Sequence, residues 1–145
     1  MILLETSILA LAFGQKTYRR TEPKAVVDLR QMITDDWPLA IPGIVLQELL
    51  AGVPEEGQLS RIQRILATFP TVEATRNNHV SAAKIAIACR QAGIRCSTVG
   101  CLIAALSVDS ASLLFTLDRD FFKMASHCGL RLYEAGMIAR MSKPN

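Results

Sequence analysis

A chain of 145 residues, half of them hydrophobic and a fifth charged, is long enough to bury a core without staples. That composition excludes a disordered tract or a collagen-like repeat. Its 16 Lys and Arg against 13 Asp and Glu leave +3, a mild bias that suits a polyanionic partner without requiring one.

The opening Ile2-Leu3-Leu4 reads as a short buried strand. Thr6 or Ser7 then caps a brief helix to about Phe13, ended by Gly14, and the polar, basic run from Gln15 to Thr21 reads as a loop. Thr21-Glu22-Pro23 starts a helix that runs to Asp35-Asp36. Leu39 to Ile41 is a second strand, Pro42-Gly43 a turn, and Ile44 to Ala51 a helix stopped by Gly52. A helix follows from Gln58 to Thr68, with Leu59, Ile62, Ile65 and Leu66 at core spacing. Phe69 to Val72 is a third strand.

Asn77 or Asn78 caps a long helix with Val80, Ala83, Ile87 and Ala88 on one side, ended by Gly93. Ser97 opens an apolar helix through Val108. Leu113 to Thr116 is a fourth strand, Asp118 to Cys128 a helix closed by Gly129, and Leu130 to Tyr133 a fifth strand. A last helical turn or two follows Glu134, and the end, 142–145, is expected to fray. No repeat or linker interrupts the chain, so 1–141 reads as one domain. Short apolar strands alternating with helices imply a mainly parallel, five-stranded sheet covered on both faces, an α/β/α sandwich.

The longest uncharged stretch, Cys96 to Val108, falls short of the roughly 20 residues that cross a bilayer. Glu5 also stands where a signal peptide carries Lys or Arg, so no membrane segment and a cytoplasmic location are expected. Cys89, Cys96, Cys101 and Cys128 show no CxxC spacing, and the first three sit in apolar, helical context. Reduced, mostly buried thiols are expected rather than a zinc site.

In an open parallel sheet, ligands sit beyond the carboxyl ends of the strands. Glu5 closes the first strand, Asp118 and Asp120 follow the fourth, and Glu48 lies one turn into the helix leaving the second. Taken singly, Glu5 or Glu48 is a surface acid, and Asp118 and Asp120 are helix-start residues favoured by the macrodipole. Together they bring carboxylates to one edge of one sheet, where mutual repulsion calls for a hard divalent cation, Mg²⁺ or Mn²⁺. Such a cation serves phosphodiester hydrolysis. Gly100 is the odd residue of the region, since glycine costs about 1 kcal/mol against alanine inside a helix.

Four segments carry a resemblance: Ile2-Leu-Leu-Glu-Thr-Ser7, Val45-Leu-Gln-Glu-Leu-Leu-Ala-Gly52, Ser97-Thr-Val-Gly-Cys-Leu-Ile-Ala-Ala105 and Leu114-Phe-Thr-Leu-Asp-Arg-Asp-Phe121. Each is weak alone. In this order and spacing they resemble PIN-domain proteins, and most of all the VapC-type ribonuclease toxins of VapBC toxin–antitoxin pairs. The resemblance implies an endoribonuclease that holds Mg²⁺ or Mn²⁺ with a quartet of acids. The first acid falls on Glu5, where the family has Asp, and the second on Glu48. The third falls on Gly100, where the family's Asp is missing, and the last on Asp118, with Asp120 beside it. Thr6, Ser7 and Thr116 would be supporting hydroxyls.

Glu5 moves its carboxylate about one methylene outward, and a misplacement near 1 Å costs roughly a hundredfold in rate. Gly100 removes a ligand. Impaired metal binding and weak or absent cleavage are therefore expected. The resemblance also implies a VapB-type antitoxin, an RNA substrate and a homodimer, with Lys16, Arg19 and Arg20 as candidate RNA-phosphate contacts. Two rivals stand beside it. One is a degenerate PIN domain that binds RNA or antitoxin without catalysis. The other is a small signalling-type α/β domain, which lacks the Lys such domains place near the strand ends.

Overall fold

A computed structural model of the chain describes residues 1–14 and 21–141. Lys16, Arg19, Arg20 and the tail 142–145 lie outside the described residues. The elements run β1 (Ile2–Leu4), α1 (Thr6–Phe13), α2 (Lys24–Thr34), β2 (Leu39–Pro42), α3 (Gly43–Ala51) and α4 (Glu56–Leu66). They continue with β3 (Thr71–Val72), α5 (Arg76–Gln91), α6 (Thr98–Asp109), β4 (Leu113–Phe115), α7 (Arg119–Cys128) and β5 (Arg131–Tyr133). A 3₁₀ turn at Met137–Arg140 follows.

The sheet order is β3-β2-β1-β4-β5, and every pairing is parallel. β1 is the centre: Ile2 sits opposite both Leu39 and Leu113. Helices cover both faces, which is why Ile2, Leu3 and Leu4 are all buried instead of alternating. The chain leaves β1 toward β2 on one side and later returns to β4 on the other. The topological switch point therefore lies at the carboxyl ends of β1 and β4, where such sheets open a crevice.

The local reasons are readable. Ile62 and Leu66 on α4, and Phe121 and Met124 on α7, put buried residues on one stripe of each helix. Gly129 takes φ +73° and turns the chain from α7 into β5, a conformation that suits glycine at the residue after a helix. Ser97 caps α6 as its sequence suggests, accepting from the Gly100 N–H at 2.9 Å. Buried Asp28 on α2 accepts from the Tyr133 hydroxyl at 2.7 Å and from the Gly136 N–H at 2.6 Å. The Tyr133 oxygen in turn accepts from the Ile138 N–H at 3.0 Å, which fastens the 3₁₀ turn to the domain.

Several expectations need correction. The cap of α1 is Glu5, not Thr6 or Ser7. The third strand is only Thr71–Val72, because the Phe69 N–H still bonds the Leu66 carbonyl as α4 winds down. Strand β4 stops at Phe115, and Thr116 turns its side chain to other work. α5 is capped by Thr75 in a reciprocal box with Asn78, and it buries Ala82, Ile85 and Cys89. Val80 and Ile87 are instead exposed. Both stripes have helical spacing; the side with small residues lets α6 approach. Cys96 lies in the link between α5 and α6 and not within a helix.

Candidate active site

Glu5 follows β1 directly, and its backbone N–H bonds the Phe115 carbonyl at 3.0 Å, extending the ladder to β4 by one rung. Its side chain, 6% exposed, folds back over the start of α1. Glu5 Oε2 accepts the Ser7 N–H at 2.9 Å, the Thr116 hydroxyl at 2.8 Å, and the Ser7 hydroxyl. Each hydroxyl has one hydrogen, and each spends it on Glu5. Ser7 Oγ then accepts from the Leu117 N–H at 2.8 Å, and Thr116 Oγ1 from the Asp118 N–H at 3.0 Å.

Glu48 reaches the same edge from α3, where its Oε1 accepts from the Thr6 hydroxyl at 3.0 Å. Asp118 is the cap of α7, and its Oδ1 accepts from the Asp120 N–H at 2.9 Å. Asp118 and Asp120 are exposed. The expected hydroxyls thus divide their tasks: Ser7 and Thr116 hold Glu5, and Thr6 holds Glu48.

Glu5, Glu48, Gly100, Asp118 and Asp120 all line one cavity of about 60 Å³, together with Ser97 and Phe121. Its described lining includes no Lys, Arg or His. The amino ends of α1, α6 and α7 meet there through their caps Glu5, Ser97 and Asp118, and their partial positive charge offsets part of the acid repulsion. Ser97 and Phe121 are wall residues that sequence reasoning missed. The Ser97 cap signal placed the helix start but not the cavity beneath it.

Gly100 is the gap in this wall. A Cβ built there would stand 2.9 Å from Ser97 Oγ and 3.9 Å from Phe121 Cζ, with no backbone in the way. A side chain at this position therefore requires the Ser97 hydroxyl, the cap of α6, to shift. Among the described residues no three Asp, Glu, His or Cys side chains sit at a spacing that could hold a metal ion. Two of the acids are committed as helix caps, and the position between them offers only hydrogen.

No helix of the described residues is long and apolar enough to cross a membrane. No protein-family model matches the chain. Among solved structures, it is similar to a chain of VapBC2 from Rickettsia felis bound to promoter DNA, with TM-score 0.73 and 21% identity over 92% of this chain and 98% of that one. FitAcB from Neisseria gonorrhoeae gives TM-score 0.73 at 18% identity, covering 93% of this chain and 98% of that one. A toxin–antitoxin complex from Klebsiella pneumoniae gives 0.60 at 23% identity, covering 83% and 90%. At these identities the likeness is one of fold. The chain has the PIN-like α/β/α architecture that its motifs resemble, shared with the structures of VapBC2, FitAcB and the Klebsiella pneumoniae toxin–antitoxin complex.

Proposed function

We propose that the chain is the toxin component of a toxin–antitoxin pair, built on the scaffold of a Mg²⁺- or Mn²⁺-dependent endoribonuclease whose metal centre is impaired. One observation carries this reading: four acids from three separate elements wall a single cavity, and the missing part of the wall is Gly100. Clustering acids without a basic partner costs free energy, and a fold tolerates that cost where a cation is to be gathered. The donor set here falls short of that task, so metal affinity and RNA cleavage are weak or absent.

The partner is a VapB-type antitoxin, in keeping with the Rickettsia felis VapBC2 and Klebsiella pneumoniae toxin–antitoxin structures that share the fold. The chain acts as a homodimer in the cytoplasm, with Lys16, Arg19 and Arg20 contributing to RNA-phosphate contact. A second reading, a non-catalytic module that dimerises and binds RNA or antitoxin, is favoured by the incomplete donor set.

An RNA cleavage assay with Mg²⁺ or Mn²⁺ separates the two. The Gly100→Asp, Glu5→Asp double variant cleaves if the scaffold is a damaged nuclease. A folded double variant that stays inert supports the binding module.

A further inference from the structure

The cysteines have no metal-ligand spacing in sequence, yet the fold gathers them. Cys89 lies on α5, Cys96 in the link to α6, Cys101 in α6 and Cys128 at the end of α7, and these three helices pack on one another. Cys101 Sγ is 3.3 Å from Cys96 Sγ. With Ser97 as the cap of α6, Cys96 stands just before the cap and Cys101 four residues after it, the two positions of a hydrophobic staple. Two aliphatic side chains would serve the staple equally well. Two thiols add chemistry.

We propose that Cys96 and Cys101 form an oxidation site, which a peroxide converts to an intramolecular disulfide. The sulfurs must close by about 1.3 Å to bonding distance, a movement that side-chain rotation supplies. Half-buried Cys96 and buried Cys101 line the same open groove of about 890 Å³, which admits the oxidant. Cys96 is half-buried at the groove while Cys101 and Cys89 are buried, so the oxidant meets Cys96 first.

The Cys96 sulfur attacks one peroxide oxygen and the O–O bond breaks. The departing hydroxide takes the thiol proton and leaves as water, and Cys96 becomes a sulfenic acid. The Cys101 sulfur then displaces the sulfenic hydroxyl, which leaves with the Cys101 proton as a second water. Two thiols lose two electrons, and one peroxide is reduced to two waters. The bridge closes over Ser97, Val99 and Gly100, all of which wall the acidic cavity. It therefore fixes that wall whether or not the cavity holds metal. Among the described residues no three cysteines sit at metal-holding spacing, so the reactive unit is the pair.

The test treats the folded full chain with hydrogen peroxide, unfolds it, alkylates free thiols, and reads intact mass and peptide map. The expected result is alkylation of two cysteines instead of four and a cross-linked Cys96–Cys101 peptide. Cys96→Ser should lose the bridge and alkylate at all three remaining cysteines, with unchanged circular dichroism. Four alkylated thiols after peroxide, a bridge mapped to Cys89 or Cys128, or a bridge persisting in Cys96→Ser would overturn the proposal. None of these outcomes bears on the nuclease reading.

Discussion

Thr116, just past β4, donates its hydroxyl hydrogen to Glu5, just past β1, at 2.8 Å across 111 residues of sequence. The bond closes the crevice at the switch point of the sheet and fixes the Glu5 carboxylate over the start of α1. Thr116 is 1% exposed, so water cannot replace this partner. The arrangement ties helix capping and the candidate site to one oxygen.

Glu5→Ala removes the cap of α1 and strands two hydroxyls. It should destabilise the fold by about 2–4 kcal/mol in urea unfolding. Glu5→Asp keeps an effective capping residue and should stay within about 1 kcal/mol of the parent. A parent-like stability for Glu5→Ala would mean that the three hydrogen bonds on its Oε2 contribute nothing.

The parts of this site that sequence exposed are those with a local cause. The apolar run Ile2-Leu3-Leu4 marks a strand buried on both faces, and Ser97 marks a helix start, because each signal lies within a few residues. That Glu5 caps α1 was hidden, since glutamate is not a favoured cap. It succeeds here through Thr116, which lies just past another strand. α5 offered two stripes of helical spacing, and only packing against α6 selects Ala82, Ile85 and Cys89. The approach of the Cys96 and Cys101 sulfurs to 3.3 Å likewise follows from the turn into α6 and not from any metal-ligand spacing.

The clasp between Asp28 and Tyr133 predicts a second stability effect, remote from the cavity. Tyr133→Phe takes one donor from buried Asp28 and leaves the Ile138 N–H without its acceptor. The cost should be about 1–3 kcal/mol by urea unfolding. Protease should also cut sooner near 137–141, where the 3₁₀ turn loses its anchor.

Alkaline pH should weaken the fold through the buried thiols. Burial raises Cys89 from its ordinary 9.0 to about 11 and Cys101 to about 12. Between the unfolded and folded values, only the folded chain keeps these protons, so stability is complete below about pH 9 and falls as pH rises toward 12. The urea midpoint should decline over that range, and the decline should be shallower in Cys101→Ala. An unchanged slope in that variant would exclude the Cys101 thiol as a cause.

Metal response gives a direct reading of the gap at position 100. The melting temperature of the parent should be nearly indifferent to Mn²⁺. The Gly100→Asp, Glu5→Asp variant, with an acid at position 100, should melt about 5–10 °C higher at saturating Mn²⁺ than without it. A parent that responds as strongly as the variant would show that the existing acids already hold the ion.

The most direct test of the central claim is RNA cleavage in Mg²⁺ or Mn²⁺ by the parent and by that double variant, each against a chelator control. The account predicts a parent indistinguishable from its control and a double variant at least about a hundredfold faster. A parent that cleaves as fast as the double variant, with cleavage abolished by the chelator, would contradict it.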